Sequence, residues 1–381
     1  MNILYLQATV VPPPVEPSKD RFLLLSEGME GDILQPVWFR QPEEIEEIFG
    51  PGSYPVYQVG RFRYHWFLAY RYQGIRQRLA IFTFYLRTGL RICKERRPAC
   101  IVAYSHMTTA LCAVLVKFLS GTKSVIPEVM VAPDKAYIAE VNHVGIADRL
   151  KHLYSDLCLH LTVLCSTRVH LLYPTQLASY PLLRNKPCSV FHDFTPVGSV
   201  GEHSESEELY IILAGHPWYR KGVDIAIEAF KSIASDFPSS RLKIVGFFPD
   251  GIPQRLAADT PQIEILNAVP HDKLMALNRG AALMLLPSRN EGLPRILLEG
   301  LAVGLPLVGS DVAGIPFVIH EGENGFVVPN GNTALLAQRL KQLLSDPALR
   351  NRMGRKSLEI AQSFTDAAYV AAFTRMVGEA P

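Results

Sequence analysis

Two glutamates enclose a proline and a run of large aliphatic residues in the segment SRNEGLPRILLEG, residues 288–300. Glu291 follows an apolar run that is typical of a buried strand, and Glu299 lies eight positions later within a helical pattern. At a rise of about 1.5 Å per helical residue, the two carboxylates are expected on the order of 10 Å apart. This separation is too large for the pair to share one proton.

The surroundings of Glu299 bear on its role. Its helical neighbours are the aliphatic residues Ile296, Leu297, Leu298 and Leu301. A carboxylate is rarely buried in such surroundings unless a partner compensates its charge. One interpretation is a solvated carboxylate paired with Arg295, although the Arg-before-Glu order is the weaker orientation for a helical ion pair. The other, which the apolar neighbours favour, is a carboxylate that faces a crevice and holds a ligand.

A second segment whose residues could bind a ligand is LAGHPWYRKGVD, residues 213–224. Its pattern predicts a strand, a loop with Gly215 and Gly222, and a helix that begins near Val223. A lysine at a helix N-terminus opposes the helix dipole, so Lys221 indicates a phosphate or another anion between its ammonium group and the helix amides. An exposed loop lysine is the alternative. Neither a P-loop motif nor a dinucleotide-binding glycine motif occurs at this loop, so the sequence supports neither a P-loop ATPase nor a nicotinamide dehydrogenase.

Regular alternation of short apolar runs with helical patterns predicts that parallel strands position these loops. In the second half of the chain, the predicted strands are 209–214, 242–247, 263–266, 283–287, 305–309 and 326–329. The first half is less regular, with predicted strands at 2–6, 32–38, 100–104, 123–130 and 161–166, and helices at 75–93 and 108–120. Each half is therefore expected to be an α/β, doubly wound domain.

Chain length and composition predict two domains. A stretch rich in Gly, Pro, Ser and acidic residues, 191–208, is the expected linker. We predict an N-terminal domain over 1–200, a C-terminal domain over 201–360, and a C-terminal helix over 361–381 that crosses back to the N-terminal domain.

Composition also limits the function classes. The formal net charge of +2 is too small to indicate a nucleic-acid-binding protein. The first ten residues are typical of a strand rather than a signal peptide, and no window is apolar enough to predict a membrane span. Cysteine spacings indicate neither a disulfide framework nor a metal site and predict reduced thiols in a cytoplasmic protein. The six are Cys93, Cys100, Cys112, Cys158, Cys165 and Cys188.

With HPWYRKGVDIAIEAF, LPSRNEGLPRILLEGLAVGLPLVGSDVAGIP and GENGFVVP in this order, the second half of the chain resembles the retaining nucleotide-sugar glycosyltransferases of family 4. The resemblance is specific over about 209–360 and loose over the first 200 residues. It implies the GT-B fold, in which two Rossmann-like, doubly wound domains face a cleft. The acceptor is expected at the N-terminal domain and the sugar nucleotide at the C-terminal domain. The family's E-x7-E motif matches Glu291 and Glu299.

The resemblance also implies roles for single residues. Glu299 would accept hydrogen bonds from the ribose hydroxyls, and Glu291 would hold the transferred sugar near the reacting carbon. The amides of Gly292 and Leu293 would lie close to the sugar and phosphates. Lys221 would neutralise the diphosphate leaving group, where negative charge grows in the transition state. No metal or other cofactor is expected, since the family usually needs none and the donor is itself the substrate.

Three further residues enter through the same comparison. His106 ends a predicted strand and matches a histidine that reaches toward the donor sugar, although a structural histidine is the alternative. Gly215 is expected in the donor-binding loop. Relatives often carry an arginine directly after this glycine, where the chain has His216, and we expect Arg220 to substitute for it.

The chain departs from the family pattern at two loops. The segment after the first strand, residues 7–20, contains several prolines and no glycine, whereas relatives commonly have a glycine-rich loop there. Ala313 and Phe317 stand where glycine and glutamate are frequent. These departures leave the acceptor site open.

Residues 61–97 hold a local excess of positive charge, with nine aromatic residues and a single acid, Glu95. On a helical segment this pattern favours peripheral contact with an anionic membrane. Nucleic acid is the rival partner, but no recognition motif accompanies the stretch, and a solvated basic face is the third interpretation. The ten basic residues are Arg61, Arg63, Arg71, Arg76, Arg78, Arg87, Arg91, Lys94, Arg96 and Arg97.

These observations lead to one functional hypothesis. The protein is expected to move a hexose from a nucleoside diphosphate sugar to a hydroxyl of a glycan or lipid-linked acceptor in polysaccharide biosynthesis, with retention of anomeric configuration. We expect it in the cytoplasm, peripheral on the inner membrane face. Two alternatives stay open: a nucleotide-sugar epimerase of the same fold, and a non-catalytic subunit that binds sugar nucleotides.

Overall fold

The computed structural model describes residues 1–8, 20–37, 39–105, 107–129, 145–194, 206 and 208–379. The chain divides into two compact units. One lies within Met1–Met130, Leu153–Phe191 and Tyr369–Pro381, and the other within Val131–His152 and His192–Ala368. The predicted domain boundaries stay predictions, because most of the expected linker lies outside the described residues.

The N-terminal unit is built on a sheet whose strands run parallel except for one edge hairpin. Its strands are β1 (Asn2–Leu6), β2 (Glu30–Val37), β3 (Val56–Val59), β4 (Phe62–Leu68), β5 (Cys100–Ala103), β6 (Ser124–Val129), β7 (Val169–Leu171) and β8 (Cys188–Val190). The helices along this part of the chain are α1 (Arg21–Leu25), α2 (Pro42–Phe49), α3 (Gly74–Arg96), α4 (Thr108–Ser120), α5 (Ile146–Cys165) and α6 (Gln176–Ser179). The strand order is β3-β4-β2-β1-β5-β6-β7-β8.

Helices cover both faces of this sheet, which explains why its central strands are apolar along their whole length. Leu4 and Leu6 of β1 belong to the core that α3 and α4 cover. Tyr5, which points to the other face, contacts Phe22 of α1 with ring centroids 5.1 Å apart. The helix α4 ends where Gly121 adopts φ of 73° and donates its N–H to the carbonyl of Lys117.

Two sequence predictions for this unit are wrong. Residues 161–166 were expected as a strand, but Leu161–Cys165 is the last part of α5. A short apolar run does not distinguish a strand from a buried helix, and here Leu159 and Val163, four positions apart, pack into the core.

The basic stretch 61–97 is also not one helical segment. Its first part is the strand β4, in which Tyr64 and Trp66 are buried and stacked 4.9 Å apart. Arg63 of the same strand donates to both carboxylate oxygens of the buried Asp32, at 2.6 and 2.7 Å. These aromatic rings and this cation are therefore not available to a membrane, and only α3 presents exposed basic residues in helical register.

The C-terminal unit contains a six-stranded parallel sheet. Its strands are β9 (Tyr210–Ala214), β10 (Arg241–Gly246), β11 (Ile263–Asn267), β12 (Leu283–Leu286), β13 (Leu307–Ser310) and β14 (Gly325–Val328). Its helices are α7 (Val223–Lys231), α8 (Ile252–Ala257), α9 (His271–Gly280), α10 (Arg295–Ala302), α11 (Ile315–Val318), α12 (Thr333–Ser345) and α13 (Pro347–Ala361). The last helix, α14 (Asp366–Gly378), belongs from Tyr369 onward to the N-terminal unit. The strand order is β11-β10-β9-β12-β13-β14.

This order places the topological switch point between β9 and β12. The chain proceeds outward from β9 in one direction and then resumes at β12 in the other, so the loops after these two strands separate at the carboxyl edge. Such a switch point creates the crevice in which open α/β sheets bind ligands. The two segments singled out in the sequence, 213–224 and 288–300, follow these two strands.

The thiols provide a test of the core of the N-terminal unit. All six cysteines are free, and burial raises the pKa of the Cys100 and Cys112 thiols to about 12. At pH 8 their thiolate fraction is then on the order of 10⁻⁴, so we expect them to resist Ellman's reagent in the native protein. The half-buried Cys165 and Cys188 should react first, as peptide mapping by mass spectrometry would show. Rapid native modification of Cys100 would contradict this packing.

Candidate functional site

A nearly buried ion pair joins the loops that follow β9 and β12. Lys221 Nζ lies 2.6 Å from Glu291 Oε1, and the two side chains are only 12% and 9% exposed. The hydroxyl of Ser288 donates to the same carboxylate oxygen at 2.9 Å. The free-energy cost of removing two charges from water can exceed the attraction that a buried ion pair gains. The pair is therefore weak evidence for stability. Its position at the switch point instead fits a binding site.

Two glycines permit the close approach that this pair needs. Gly215 has φ of 146°, and a Cβ there would lie 2.7 Å from Cε of Lys221. Gly222 caps α7 with φ of 66°, and a Cβ there would lie 2.0 Å from the carbonyl oxygen of Pro287. The first glycine therefore makes room for the lysine side chain. The second lets the start of α7 lie against the end of β12.

A second ion pair between the same two loops was not predicted from the sequence. Arg289 donates to both carboxylate oxygens of Asp224, at 2.8 and 2.7 Å, and to the carbonyl of Tyr219 at 2.6 Å. Its guanidinium also lies 3.9 Å from the centre of the Tyr219 ring. These contacts fix the loop that carries Glu291 to the first turn of α7. Spacing could not reveal a contact between residues 65 positions apart.

Glu299 is the fifth residue of α10, and its side chain is 12% exposed. Its carboxylate lies 3.3 Å from Nε2 of His271, the first residue of α9. Among the residues that the structure describes, it forms no ion pair with Arg295. The simple interpretation of a surface pair along one helix is therefore wrong. The carboxylate instead meets the segment that follows β11.

The other predicted residues lie in the same loops or outside the described residues. The carbonyl of Gly292 accepts from the N–H of Gly314 at 2.9 Å, and Leu293 is half-buried beside it. Arg220 donates to the carbonyl of His216 at 3.2 Å. His106 lies outside the described residues, so its role stays a prediction.

Two more features of these loops emerge from the structure. Asn290, next to Glu291, is buried, and its Nδ2 has no hydrogen-bond partner among the described residues. A buried donor without a partner costs about 1–3 kcal/mol, so this amide is a group that a ligand could satisfy. Ala313, at the position where the resemblance predicts glycine, adopts φ of 49°. This left-handed backbone conformation is one that favours glycine.

Electrostatically, the described contacts set one ammonium group, that of Lys221, against one carboxylate, that of Glu291, while the carboxylate of Glu299 lies within reach of His271. Within the described ranges, no group of three or more His, Cys, Asp and Glu side chains is arranged to hold a metal ion. Lys221 stands beside the N-terminus of α7, where an anion would meet both the ammonium group and the helix amides. In this structure the carboxylate of Glu291 supplies that negative charge.

The second part of the chain is similar to known glycosyltransferases. Residues 200–359 match the family model described as glycosyl transferases group 1. The D-inositol 3-phosphate glycosyltransferase of Corynebacterium efficiens is 31% identical over 170 residues, which are 42% of this chain and 40% of that protein. The N-acetyl-alpha-D-glucosaminyl L-malate synthase of Bacillus anthracis is 32% identical over 158 residues, 41% of each chain. The chain thus spans about two fifths of the length of these relatives.

Solved structures match over nearly the whole chain. Sucrose-phosphate synthase from Thermosynechococcus elongatus superposes with a TM-score of 0.76 at 14% identity, over 99% of this chain and 98% of that one. Anabaena HepE in complex with UDP and glucose superposes with a TM-score of 0.71 at 13% identity, over 99% of both chains. At these identities the likeness shows the fold alone. The predicted fold class, α/β of the GT-B type with two Rossmann-like domains, is confirmed.

Proposed function

We propose that the protein is a retaining glycosyltransferase of family 4 that moves a hexose from a nucleoside diphosphate sugar to an acceptor hydroxyl. The observation that carries the proposal is the Lys221–Glu291 pair, held at 2.6 Å beyond two strands that flank the switch point. A cation at a helix N-terminus suits a diphosphate, and a carboxylate beside it suits sugar hydroxyls. The match of residues 200–359 to a glycosyltransferase family supports it.

The donor is proposed to bind along the loops of the C-terminal unit. Its diphosphate replaces Glu291 as the partner of Lys221, with Gly215 beside the lysine and Arg220 as a further cation. Glu291 then turns to the hydroxyls of the transferred sugar, and the amides of Gly292 and Leu293 donate to the sugar and phosphates.

The remaining groups of the donor site complete this arrangement. Glu299 accepts from the ribose hydroxyls, and Asn290 supplies its buried amide to the sugar or phosphate oxygens. His106 is proposed to reach the donor sugar.

In the proposed reaction the bond between the anomeric carbon and the phosphate oxygen breaks, and a bond to the acceptor oxygen forms on the same face of the sugar. The proton of the acceptor hydroxyl passes to the departing phosphate. Negative charge grows on that phosphate, where Lys221 is placed to stabilise it, so we propose that no metal is needed.

The acceptor is proposed to be a glycan or a lipid-linked molecule presented at the inner face of a membrane. Exposed basic residues along α3 support contact with anionic lipid: Arg76, Arg78, Arg87 and Lys94. We propose that this contact is peripheral. None of the described helices is long and apolar enough to cross a bilayer.

A panel of UDP, GDP and ADP sugars tests the proposal. The matching donor, at 100 times its dissociation constant, should stabilise the fold by about 2.7 kcal/mol in a thermal-shift measurement. Release of nucleoside diphosphate on addition of acceptors, followed by NMR of the new anomeric centre, should show transfer with retention. A changed sugar without acceptor would indicate the epimerase, and binding without turnover would indicate the non-catalytic subunit.

Gly215→Ala provides a sharper test of the donor loop. The added Cβ would lie 2.7 Å from Cε of Lys221, so the lysine side chain must move, and the positive φ of 146° strains the backbone as well. We expect about tenfold weaker binding of the nucleoside diphosphate, since a charge-assisted contact is displaced. Gly322→Ala is the matched control, because it also has a positive φ, of 78°, but open space around it. Equal affinities in both variants would contradict the proposed position of the diphosphate.

A further inference from the structure

The outer face of α5 is apolar although it is exposed. Leu153, Leu157 and Leu164 are 66%, 56% and 65% exposed, and Tyr154 and Leu161 lie in the same stripe at helical spacing. The opposite stripe of the helix packs into the core of the N-terminal unit. A helix that faces only water normally carries polar residues on its outer side. Within the part of the chain that the structure describes, nothing covers this second apolar stripe, which is therefore free to meet a partner.

The helix α4 extends the same surface. Phe118 and Leu119 are 63% and 64% exposed, and Leu115 lies one turn before them. Thr108 at the start of α4 contacts Tyr154 at 3.0 Å, and Lys117 near its end donates to the carbonyl of Cys165 at 3.0 Å. The two helices thus run side by side in the same direction. We call the exposed apolar side chains of these two neighbouring helices the α4–α5 face.

A basic pocket adjoins this face. Its volume is about 790 Å³, Leu119 forms part of its wall, and it lies where α3 and α4 end. Lys94, Arg97 and Lys123 line it and are exposed. Among the described residues that line the pocket, none is acidic. Three cations without a carboxylate form a site for an anion, and phosphate is the anion that such clusters commonly bind.

We infer that the α4–α5 face docks on an anionic lipid bilayer, with its leucines and Phe118 in the boundary between headgroups and acyl chains. A lipid phosphate occupies the pocket of Lys94, Arg97 and Lys123. Apolar side chains bordered by cations are the combination that holds a protein at such an interface. The inference rests on the proposed membrane contact and specifies the surface that makes it.

Charge complementarity favours lipid over a second copy of the chain. In a symmetric dimer the same patch meets itself across the two-fold axis. The second copy would bury the leucines, but the only charges that this patch brings are the same three cations, so it supplies no anion to the pocket. An anionic bilayer instead neutralises the cations while it buries the leucines. The occupant that fits both features is therefore the lipid surface.

Flotation with vesicles tests this inference on the full chain. We expect the protein to float with vesicles of phosphatidylcholine and phosphatidylglycerol but weakly with phosphatidylcholine alone. The double variant Phe118→Ser/Leu157→Ser should lower the ratio of bound to free protein at least about tenfold, since two exposed apolar side chains no longer insert. The control is Ile48→Ser on α2, an exposed apolar residue of another helix. It should float like the parent chain.

A charge variant separates the pocket from the apolar face. Neutralising Lys94, Arg97 and Lys123 to Gln should remove the preference for phosphatidylglycerol. If flotation survives both sets of changes but is lost in Arg76→Gln/Arg78→Gln, the α4–α5 face is not the docking surface, and only the proposed contact through α3 stands. If the parent chain did not float, the inference on the α4–α5 face and the proposed contact through α3 would both be wrong. Donor binding, measured by thermal shift, would still test the transferase proposal. A dimer in size-exclusion chromatography that Leu157→Ser converts to a monomer would overturn the inference in favour of a second copy.

Discussion

We expect Lys221→Met to lower the turnover of the nucleotide sugar by about 10²–10³-fold. The lysine is the ammonium group beside the start of α7 and the proposed partner of the leaving diphosphate, and loss of one such stabilising group typically costs this factor. The measurement is the rate of nucleoside diphosphate release at saturating donor and acceptor. Lys341→Met is the matched control, because Lys341 forms an ion pair of the same 2.6 Å length with Asp236 on an exposed surface. It should leave turnover unchanged.

A double variant separates catalysis from stability in this prediction. Lys221→Met alone leaves the nearly buried carboxylate of Glu291 with Ser288 as its partner, and such a loss destabilises a fold. Lys221→Met/Glu291→Gln removes both charges and should recover much of the unfolding temperature without recovering turnover. If the double variant regained turnover together with stability, the lysine would have a structural role only. Unchanged turnover in the single variant would reject its role as well.

The second large effect is expected on stability. Gly222→Ala places a Cβ 2.0 Å from the carbonyl oxygen of Pro287 in a residue with φ of 66°. The left-handed backbone costs about 1–2 kcal/mol for alanine and overpacking about 1–3 kcal/mol more, so we expect a loss of about 2–5 kcal/mol. Urea unfolding followed by circular dichroism measures it. Gly331→Ala, with φ of 80° and open space around it, should lose only the about 1–2 kcal/mol that the left-handed backbone costs.

The comparison of these two glycine variants isolates the approach of α7 to β12. Equal losses would mean that the loop shifts freely, and Lys221 would then not be held against the carboxylate by the backbone. A larger loss for Gly222→Ala would support a rigid loop. Such rigidity would preorganise the ammonium group before a ligand arrives.

The elements of the C-terminal unit could be predicted from the sequence more completely than those of the N-terminal unit. Its strands are short and apolar, and its helices are amphipathic, so periodicity alone predicted β9 and β12 and the loops that follow them. The expectation that Lys221 needs an anion came from its place before α7, and the structure pairs it with Glu291 at 2.6 Å. Parallel strands bring their carboxyl ends to one edge, which is why residues 70 positions apart could be predicted to converge.

The remaining features depend on tertiary contacts that spacing does not encode. The bidentate contact of Arg289 with Asp224 joins loops from different strands, and neither residue is unusual in its local segment. The end of α5 was predicted as a strand because a helix with apolar residues on two faces lacks the amphipathic pattern. Its exposed stripe cannot be distinguished from core by sequence. The burial of Tyr64 and Trp66 likewise follows from the place of β4 in the sheet.

The most direct test of the central claim is calorimetric titration of UDP, GDP and ADP into the full chain and its variants. If Lys221, Glu291 and Glu299 hold one sugar nucleotide, one of these diphosphates should bind to the parent chain. Its affinity should fall at least about tenfold in both Lys221→Met and Glu299→Gln, while Lys341→Met binds like the parent. Absence of binding by all three diphosphates, or equal affinity in the parent and both site variants, would contradict the account.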